Sequence, residues 1–329
     1  MTDPIRWGIL GTGGIARSFA AALRHVPDAE LVAVGSRAQD SADRFAAEHA
    51  IPRGHGTYEA LVDDDEVGVV YVATPHTRHA ADMALALEAE KHVLGEKPFT
   101  ISVEQSVRIA DLAAARGRFA MEAFWSRFLP AYRTLRTLLD EAVIGEVLRV
   151  EGSFGFRAEV LPTHRLFDPE QGGGALLDLG CYPVQLAHFV LGAPTSVSAV
   201  ARIGETGVDE DTIVAMSFAG GAVAVAQSAI RTPLPCDARI TGAAGTIELP
   251  AFMHCPEHVD VTVGGETRRI DTPLGEAPLA FQVQEVHACL RAGQLESPTM
   301  PLADTLAIAG TLDRARQAIG LRYPGEAGD

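Results

Sequence analysis

The sequence predicts a two-domain chain, with an α/β doubly wound parallel sheet first and an α+β domain after it. Three observations carry this. The chain has 329 residues, more than one ordinary core accommodates, and suits two domains of roughly 100 to 200 residues each. Up to residue 122, short apolar runs of strand length alternate with helical stretches, the order of a parallel sheet covered by helices on both faces. Beyond that point strand-like runs follow one another directly, separated by Gly, Pro and Asp turns, which points to antiparallel pairing.

The first strand is Ile5 to Leu10, followed by Gly11-Thr12-Gly13-Gly14-Ile15-Ala16 and a helical stretch from Ala16 to His25. Strand, glycine turn and helix in that order make a dinucleotide fingerprint of the Rossmann type. Gly11 permits the tight turn, the next glycine lets the backbone approach a pyrophosphate, and the small Ala16 lets helix pack on strand. Gly11, Gly13, Gly14, Ile15 and Ala16 are therefore candidate cofactor contacts, at a helix N-terminus whose unpaired N–H groups attract phosphate. The second strand, Glu30 to Gly35, ends at Ser36 and Arg37. An acid there would hold the ribose 2′-hydroxyl of NAD, whereas guanidinium and hydroxyl both bind a 2′-phosphate. NADP is expected over NAD, with Asp40 the nearby residue that would argue otherwise.

Ser41 to His49 reads as helix, and Thr57 as the N-cap of a short helix from Tyr58 to Val62. The apolar run Val67 to Ala73 is a strand buried on both faces. Its C-terminal end carries Thr74-Pro75-His76-Thr77-Arg78-His79, at the edge where doubly wound sheets bind ligands. Thr74, His76 and His79 are candidate contacts, His79 being equally suited to capping the helix Ala80 to Glu90. His92-Val93-Leu94 then delivers Gly95-Glu96-Lys97-Pro98 to the same edge. Ser102 or Thr100 caps a helix running to Ala115. A strand from Arg118 to Ala123 closes a sheet of roughly six strands, which places the domains at 1–122 and 123–329.

Of the 27 basic residues only Lys91 and Lys97 are lysine, and no Asn occurs anywhere. A lysine kept against that background suggests that the amine itself is needed. Arginine holds its proton near neutrality, whereas an ammonium beside a cofactor can be tuned to act as acid, base or close donor. Lys97 is the first catalytic candidate, with Glu96 beside it to hold the ammonium or to meet the cofactor. The formal charge of -16 disfavours nucleic acid as a partner. No apolar run approaches the roughly 18 residues that cross a bilayer, and the N-terminus lacks the regions of a signal peptide, so a cytoplasmic protein is expected. Four scattered cysteines suggest neither disulfides nor a zinc site. His254-Cys255-Pro256-Glu257-His258 crowds three ligand types into a turn, and no metal is expected there.

The Gly-x-Gly-x-x-Ala turn, Thr-Pro-x-x-x-His and Glu-Lys-Pro together resemble the glucose-fructose oxidoreductase and inositol dehydrogenase (Gfo/Idh/MocA) family. Met121-Glu122-Ala123-Phe124-Trp125-Ser126-Arg127-Phe128 and Gly172-Gly173-Gly174-Ala175-Leu176-Leu177-Asp178-Leu179-Gly180-Cys181-Tyr182 look like its dihydrodiol dehydrogenase and NADP-dependent xylose dehydrogenase branch. The resemblance implies a second domain built on a large, mostly antiparallel open sheet with helices on one face, often used for a homodimer. Strand-like runs at 147–156, 196–203, 212–218, 223–230, 238–241, 259–263 and 267–270 are compatible with it. Helices are expected at 178–191, 279–291 and 302–319.

Asp178 and Tyr182 are four residues apart at a helix start, so they can share a face. Many relatives carry His where this chain has Tyr182. A phenol, with a reference pKa of about 10, is a poor base unless a cation favours phenolate, which Lys97 can do. Lys97, Tyr182 and Asp178 are the catalytic candidates, the first two as a coupled acid/base pair. Phe124, Trp125, Phe156 and Phe281 are candidates for an apolar wall, Arg157 and Arg202 for binding substrate hydroxyls. The resulting expectation is an NADP-dependent dehydrogenase of an aldose or a cyclic trans-diol. The alternatives are a glycosidase that oxidises transiently through retained NAD, against which Arg37 speaks, and a non-catalytic dinucleotide sensor, against which Lys97 and Tyr182 speak.

Overall fold

Apolar runs in the first third of the chain form strands whose C-terminal halves are buried. The computed structural model describes residues 3–324. In chain order the first part comprises β1 (Ile5–Leu10), α1 (Gly14–Leu23), β2 (Ala29–Gly35), α2 (Gln39–His49), β3 (Arg53–His55) and α3 (Tyr58–Val62). There follow β4 (Val69–Val72), α4 (His79–Glu88), β5 (His92–Gly95), α5 (Val103–Arg116) and β6 (Ala120–Glu122). The six strands are all parallel, in the order β3-β2-β1-β4-β5-β6. Order reverses between β1 and β4, which opens a crevice beyond their C-terminal ends. Both Thr57 and Ser102 cap as read: Thr57 Oγ1 accepts the Ala60 N–H at 3.1 Å and Ser102 Oγ the Gln105 N–H at 3.2 Å. β3 escaped the sequence reading because Arg-Gly-His has no apolar side chain; it is an edge strand defined by pairing to β2 alone.

The second part holds α6 (Pro130–Asp140), β7 (Val147–Gly155), α7 (Cys181–Leu191), β8 (Ser196–Ile203), β9 (Asp209–Ser217) and β10 (Val223–Ala229). It continues with β11 (Ala238–Gly242), β12 (Gly245–Leu249), β13 (His258–Val263), β14 (Glu266–Asp271), α8 (Ala280–Arg291) and α9 (Leu302–Ala318). Its eight strands lie in the order β14-β13-β12-β11-β7-β10-β9-β8. Every pair is antiparallel except β7 with β10. The helix α6 and the strand β12 were not anticipated from the sequence.

Alternation decides the two faces of this sheet. Val214 and Met216 of β9 and Ala224 and Ala226 of β10 are buried. On that side Gly152 of β7 comes so close to α7 that an added Cβ would stand 3.0 Å from Pro183. The opposite side exposes Val200, Ile213 and Val223.

The described chain divides into two compact units. One contains everything up to Phe128 together with Gly275–Thr305; the other contains Leu129–Leu274 and the residues from Leu306 on. A single cut at residue 122 therefore misplaces α8, which belongs to the first unit. There the Trp7 indole N–H donates to His287 Nε2 at 3.0 Å, and His287 Nδ1 and Arg291 both meet Asp28. Periodicity shows that a helix has a buried face but not what covers it.

Candidate active site

The turn after β1 is built for close approach. Gly11 has φ +102°, and a Cβ there would stand 2.6 Å from the Ala73 carbonyl oxygen at the end of β4. Only glycine fits. At Gly13 and Gly14, by contrast, an added Cβ would meet nothing within 4 Å. Gly13 is the N-cap of α1, no side chain caps that helix, and its first turn carries no acid. Ala16 is fully buried, whereas Ile15 is partly exposed. An open surface above uncapped N–H groups suits a diphosphate. Thr74, across from this turn, is buried with its Oγ1 unpaired, a donor and acceptor at the same edge. At the end of β2, Ser36 is buried and its N–H donates to the His55 carbonyl oxygen, while Arg37 is exposed. These residues fit a dinucleotide.

His79 departs from its expected part as a cofactor contact. It is fully buried, with Nδ1 2.8 Å from the Pro98 carbonyl oxygen and Nε2 2.8 Å from the Thr74 carbonyl oxygen. Burial, the largest influence, holds its imidazole below the usual range, against the two carbonyls that favour the charged ring. Its role is to tie the end of β4 to the loop that presents Lys97. His76 lies half-buried in a short 3₁₀ turn before α4.

The Lys97 loop is held at three successive residues. Glu96 Oε2 accepts the Lys97 backbone N–H at 3.2 Å, and its Oε1 accepts the Tyr71 hydroxyl at 2.5 Å. His79 meets the Pro98 carbonyl. Glu122, at the end of β6, accepts the Phe99 N–H at 2.8 Å. Burial pushes the Glu122 carboxyl up to about 8, against the opposing pull of the Phe99 N–H and Arg127. Burial thus favours the neutral form of Glu122, which braces the loop through the Phe99 N–H. It was quoted in the sequence only as part of a motif. The bracing rests on pairing between β5 and β6, which a linear reading does not show.

In the second unit Asp178 lies in a π-helical turn, Leu176–Gly180, that runs directly into α7 and Tyr182. Both residues are nearly buried. Asp178 Oδ2 is 3.1 Å from Arg165 Nη1, a guanidinium the sequence reading did not single out. The Tyr182 ring is flanked by Phe154 at 5.6 Å and His254 at 4.9 Å, and these two stack at 4.6 Å. His254, weighed in the sequence only as a metal ligand, is therefore an aromatic neighbour of Tyr182.

The expected substrate contacts scatter. Phe124 is fully buried and is core. Trp125 is half-buried in a 3₁₀ turn, Phe156 and Arg157 follow the end of β7 and are exposed, and Phe281 lies on α8 in the first unit. Arg202 is on the edge strand β8, on the side of Val200 and away from α7, paired with Glu210 at 2.9 Å. It does not join Tyr182 within this unit.

Such a sheet, with a glycine turn at its order reversal and an uncapped helix above it, defines a dinucleotide-binding fold. Residues 5–124 match the model of the oxidoreductase family with an NAD-binding Rossmann fold, and residues 132–248 match the GFO/IDH/MocA C-terminal domain. The chain belongs to the GFO/IDH/MocA oxidoreductase family and is a dehydrogenase by that membership. It is 37% identical to trans-1,2-dihydrobenzene-1,2-diol dehydrogenase of Xenopus tropicalis, over 97% of this chain and 99% of that one. It is 35% identical to the human protein of the same name, over 97% and 98%. Among solved structures it resembles KijD10, a 3-ketoreductase from Actinomadura kijaniata in complex with NADP and TDP-benzene. That likeness has a TM-score of 0.88 and 29% identity, over 96% of this chain and 98% of the other.

Proposed function

We propose that this chain is an NADP-dependent dehydrogenase that oxidises a CH–OH group of a cyclic trans-diol or an aldose, or reduces the matching carbonyl. The observation that carries it is the nucleotide edge of the first unit: Gly11 pressed on Ala73, open backbone at Gly13 and Gly14, and the Lys97 loop braced at the end of the adjoining strand. Similarity to dihydrodiol dehydrogenases supports the substrate class, and Arg37 with Ser36 supports the 2′-phosphate.

A bound nicotinamide supplies the hydride acceptor. In this reading Lys97 donates a hydrogen bond to the substrate oxygen. Tyr182, coupled to Lys97, takes the hydroxyl proton as the adjacent carbon gives up hydride. Asp178, held by Arg165, lines the same turn and orients the substrate hydroxyls. His76 and Trp125 remain candidate contacts to cofactor and substrate.

The deciding experiment follows reduced-nicotinamide absorbance with NADP and with NAD across aldoses, polyols and cyclic trans-diols. Reduction with NADP is expected, and Arg37→Ala should raise the KM for NADP about tenfold or more while leaving NAD use unchanged. Absence of turnover with every diol and sugar would remove the reading. Equal use of NAD and NADP by the native enzyme would remove the Arg37 assignment alone.

The open side of the eight-stranded sheet, with Val200, Ile213 and Val223 exposed, is read as a homodimer face; light scattering showing a monomer at micromolar concentration overturns that. A cytoplasmic location is part of the same proposal. The one described helical stretch apolar enough to cross a membrane, Pro169–Leu191, is mostly buried inside the protein.

A further inference from the structure

The glycine-rich stretch before the π-helical turn is held by two residues remote in sequence. Gly174 has φ +119°, and a Cβ added there would collide with Asp209 Oδ1. Asp209, the first residue of β9, is fully buried. Its Oδ2 accepts the Leu176 N–H at 2.7 Å and the Thr212 hydroxyl at 2.6 Å. Leu176 is the first residue of the turn that carries Asp178. From the other side, the buried Tyr323 hydroxyl donates to the Gly173 carbonyl oxygen at 2.5 Å, and the Arg316 guanidinium of α9 lies over its ring. Two N–H groups of the loop are met locally, that of Gly173 by the Asp168 carbonyl and that of Gly174 by the Leu166 carbonyl.

We propose that Asp209 and Tyr323 are positioning residues for the reaction: they clamp the Gly172–Gly174 loop and the start of the π-helical turn, and thereby fix where Asp178 and Tyr182 stand. The proposal rests on the reading of Tyr182 as the proton-transferring group. A clamp is needed because glycines give the backbone its widest freedom. A π-helical turn also lacks the regular ladder of an α-helix. Without outside partners, the residues between Gly172 and Tyr182 have several arrangements of similar energy. Asp209 satisfies the first free N–H of the turn, and Tyr323 satisfies a carbonyl in the glycine run. Burial, opposed by Thr212 and the Leu176 N–H, raises the Asp209 carboxyl to about 7. Both of its bonds lie in the buried interior.

The test combines turnover with hydrogen exchange over residues 172–182, using Tyr323→Phe, Asp209→Asn and Asp209→Ala in the full chain. Tyr323→Phe deletes one oxygen, and Asp209→Asn keeps an acceptor for the Leu176 N–H. Tyr323→Phe is expected to speed exchange across 172–182 and to lower kcat about tenfold, with NADPH affinity and melting temperature near native. Asp209→Ala should lower kcat about a hundredfold, and Asp209→Asn should recover most of it. Faster exchange with native kcat reduces the clamp to a purely structural role and overturns the proposal, as does unchanged exchange in Tyr323→Phe. Tyr182→Phe is run in parallel. Native turnover in that variant sinks the acid/base reading, while exchange in the other three still decides whether the clamp exists.

Discussion

The two units present their chemistry in the same way from unlike frameworks. In the first, a parallel sheet ends in the Lys97 loop, and the buried carboxyl of Glu122 accepts the Phe99 N–H two residues on. In the second, a mostly antiparallel sheet supports the π-helical turn, and the buried carboxyl of Asp209 accepts the Leu176 N–H two residues before Asp178. Lys97 and Asp178 thus stand on backbone outside the regular strands and α-helices. An acid from a neighbouring strand braces that backbone in both. The difference lies in reach: in the first unit the brace comes from the adjoining strand, 23 residues away. In the second, partners come from 33 and 150 residues away. Precision at an active site is cheap when the fold itself brings the brace and requires long-range contacts when it does not.

The largest expected effect separates the presented groups from their braces. Lys97→Met should reduce turnover by about a thousandfold, within the range for loss of a general acid or base, while NADPH binding measured by fluorescence stays within a few-fold of native. Retained turnover would make the Lys97 loop a scaffold like its braces.

A smaller effect compares the two buried acids through pH. Both carboxyls have folded pKa values above their reference values, Glu122 about 8 against 4.5 and Asp209 about 7 against 3.8. Between those limits the unfolded chain has released protons that the folded chain retains, so stability falls as pH rises. The window runs from about pH 4.5 to 8 for Glu122 and from about 3.8 to 7 for Asp209. Chemical denaturation across pH should show that decline, made shallower from about pH 4.5 to 8 by Glu122→Gln and from about 3.8 to 7 by Asp209→Asn, with only the Glu122 part left above pH 7. Identical curves in both variants and the native protein would mean that neither acid is neutral in the fold.

The smallest effect tests whether local signals matter less than these braces. Thr57→Ala removes the N-cap bond to Ala60 and should cost about 1 kcal/mol of stability with kcat unchanged. A change in kcat would show that the short helix after Thr57 is coupled to the nucleotide edge.

Much of the first unit could be read from sequence because its signals are local. The Gly11 turn, the caps at Thr57 and Ser102 and the run ending at Val72 each depend on residues within one turn or strand. The same locality explains the misreadings. His79 looked like a contact because it follows a strand end, yet its ring nitrogens face the Thr74 and Pro98 carbonyls. Phe124 was a candidate for an apolar wall beside Trp125, yet it is fully buried.

Resemblance to a family motif marked Asp178 and Tyr182; by itself the sequence determined the order of elements, the alternation that makes one sheet parallel, the glycines at the phosphate turn and the identity of Lys97 as a candidate. These follow from φ freedom, hydrophobic period and side-chain chemistry, which are properties of short stretches. Only the tertiary structure decided that α8 packs with the first unit and that β7 pairs parallel with β10. It alone placed His254 beside Tyr182, Glu122 on the Phe99 N–H, Asp209 on the Leu176 N–H and the Tyr323 hydroxyl on the Gly173 carbonyl. Those facts depend on which distant groups share a water-free interior, where an unmet N–H must find a partner, and no local pattern records that choice.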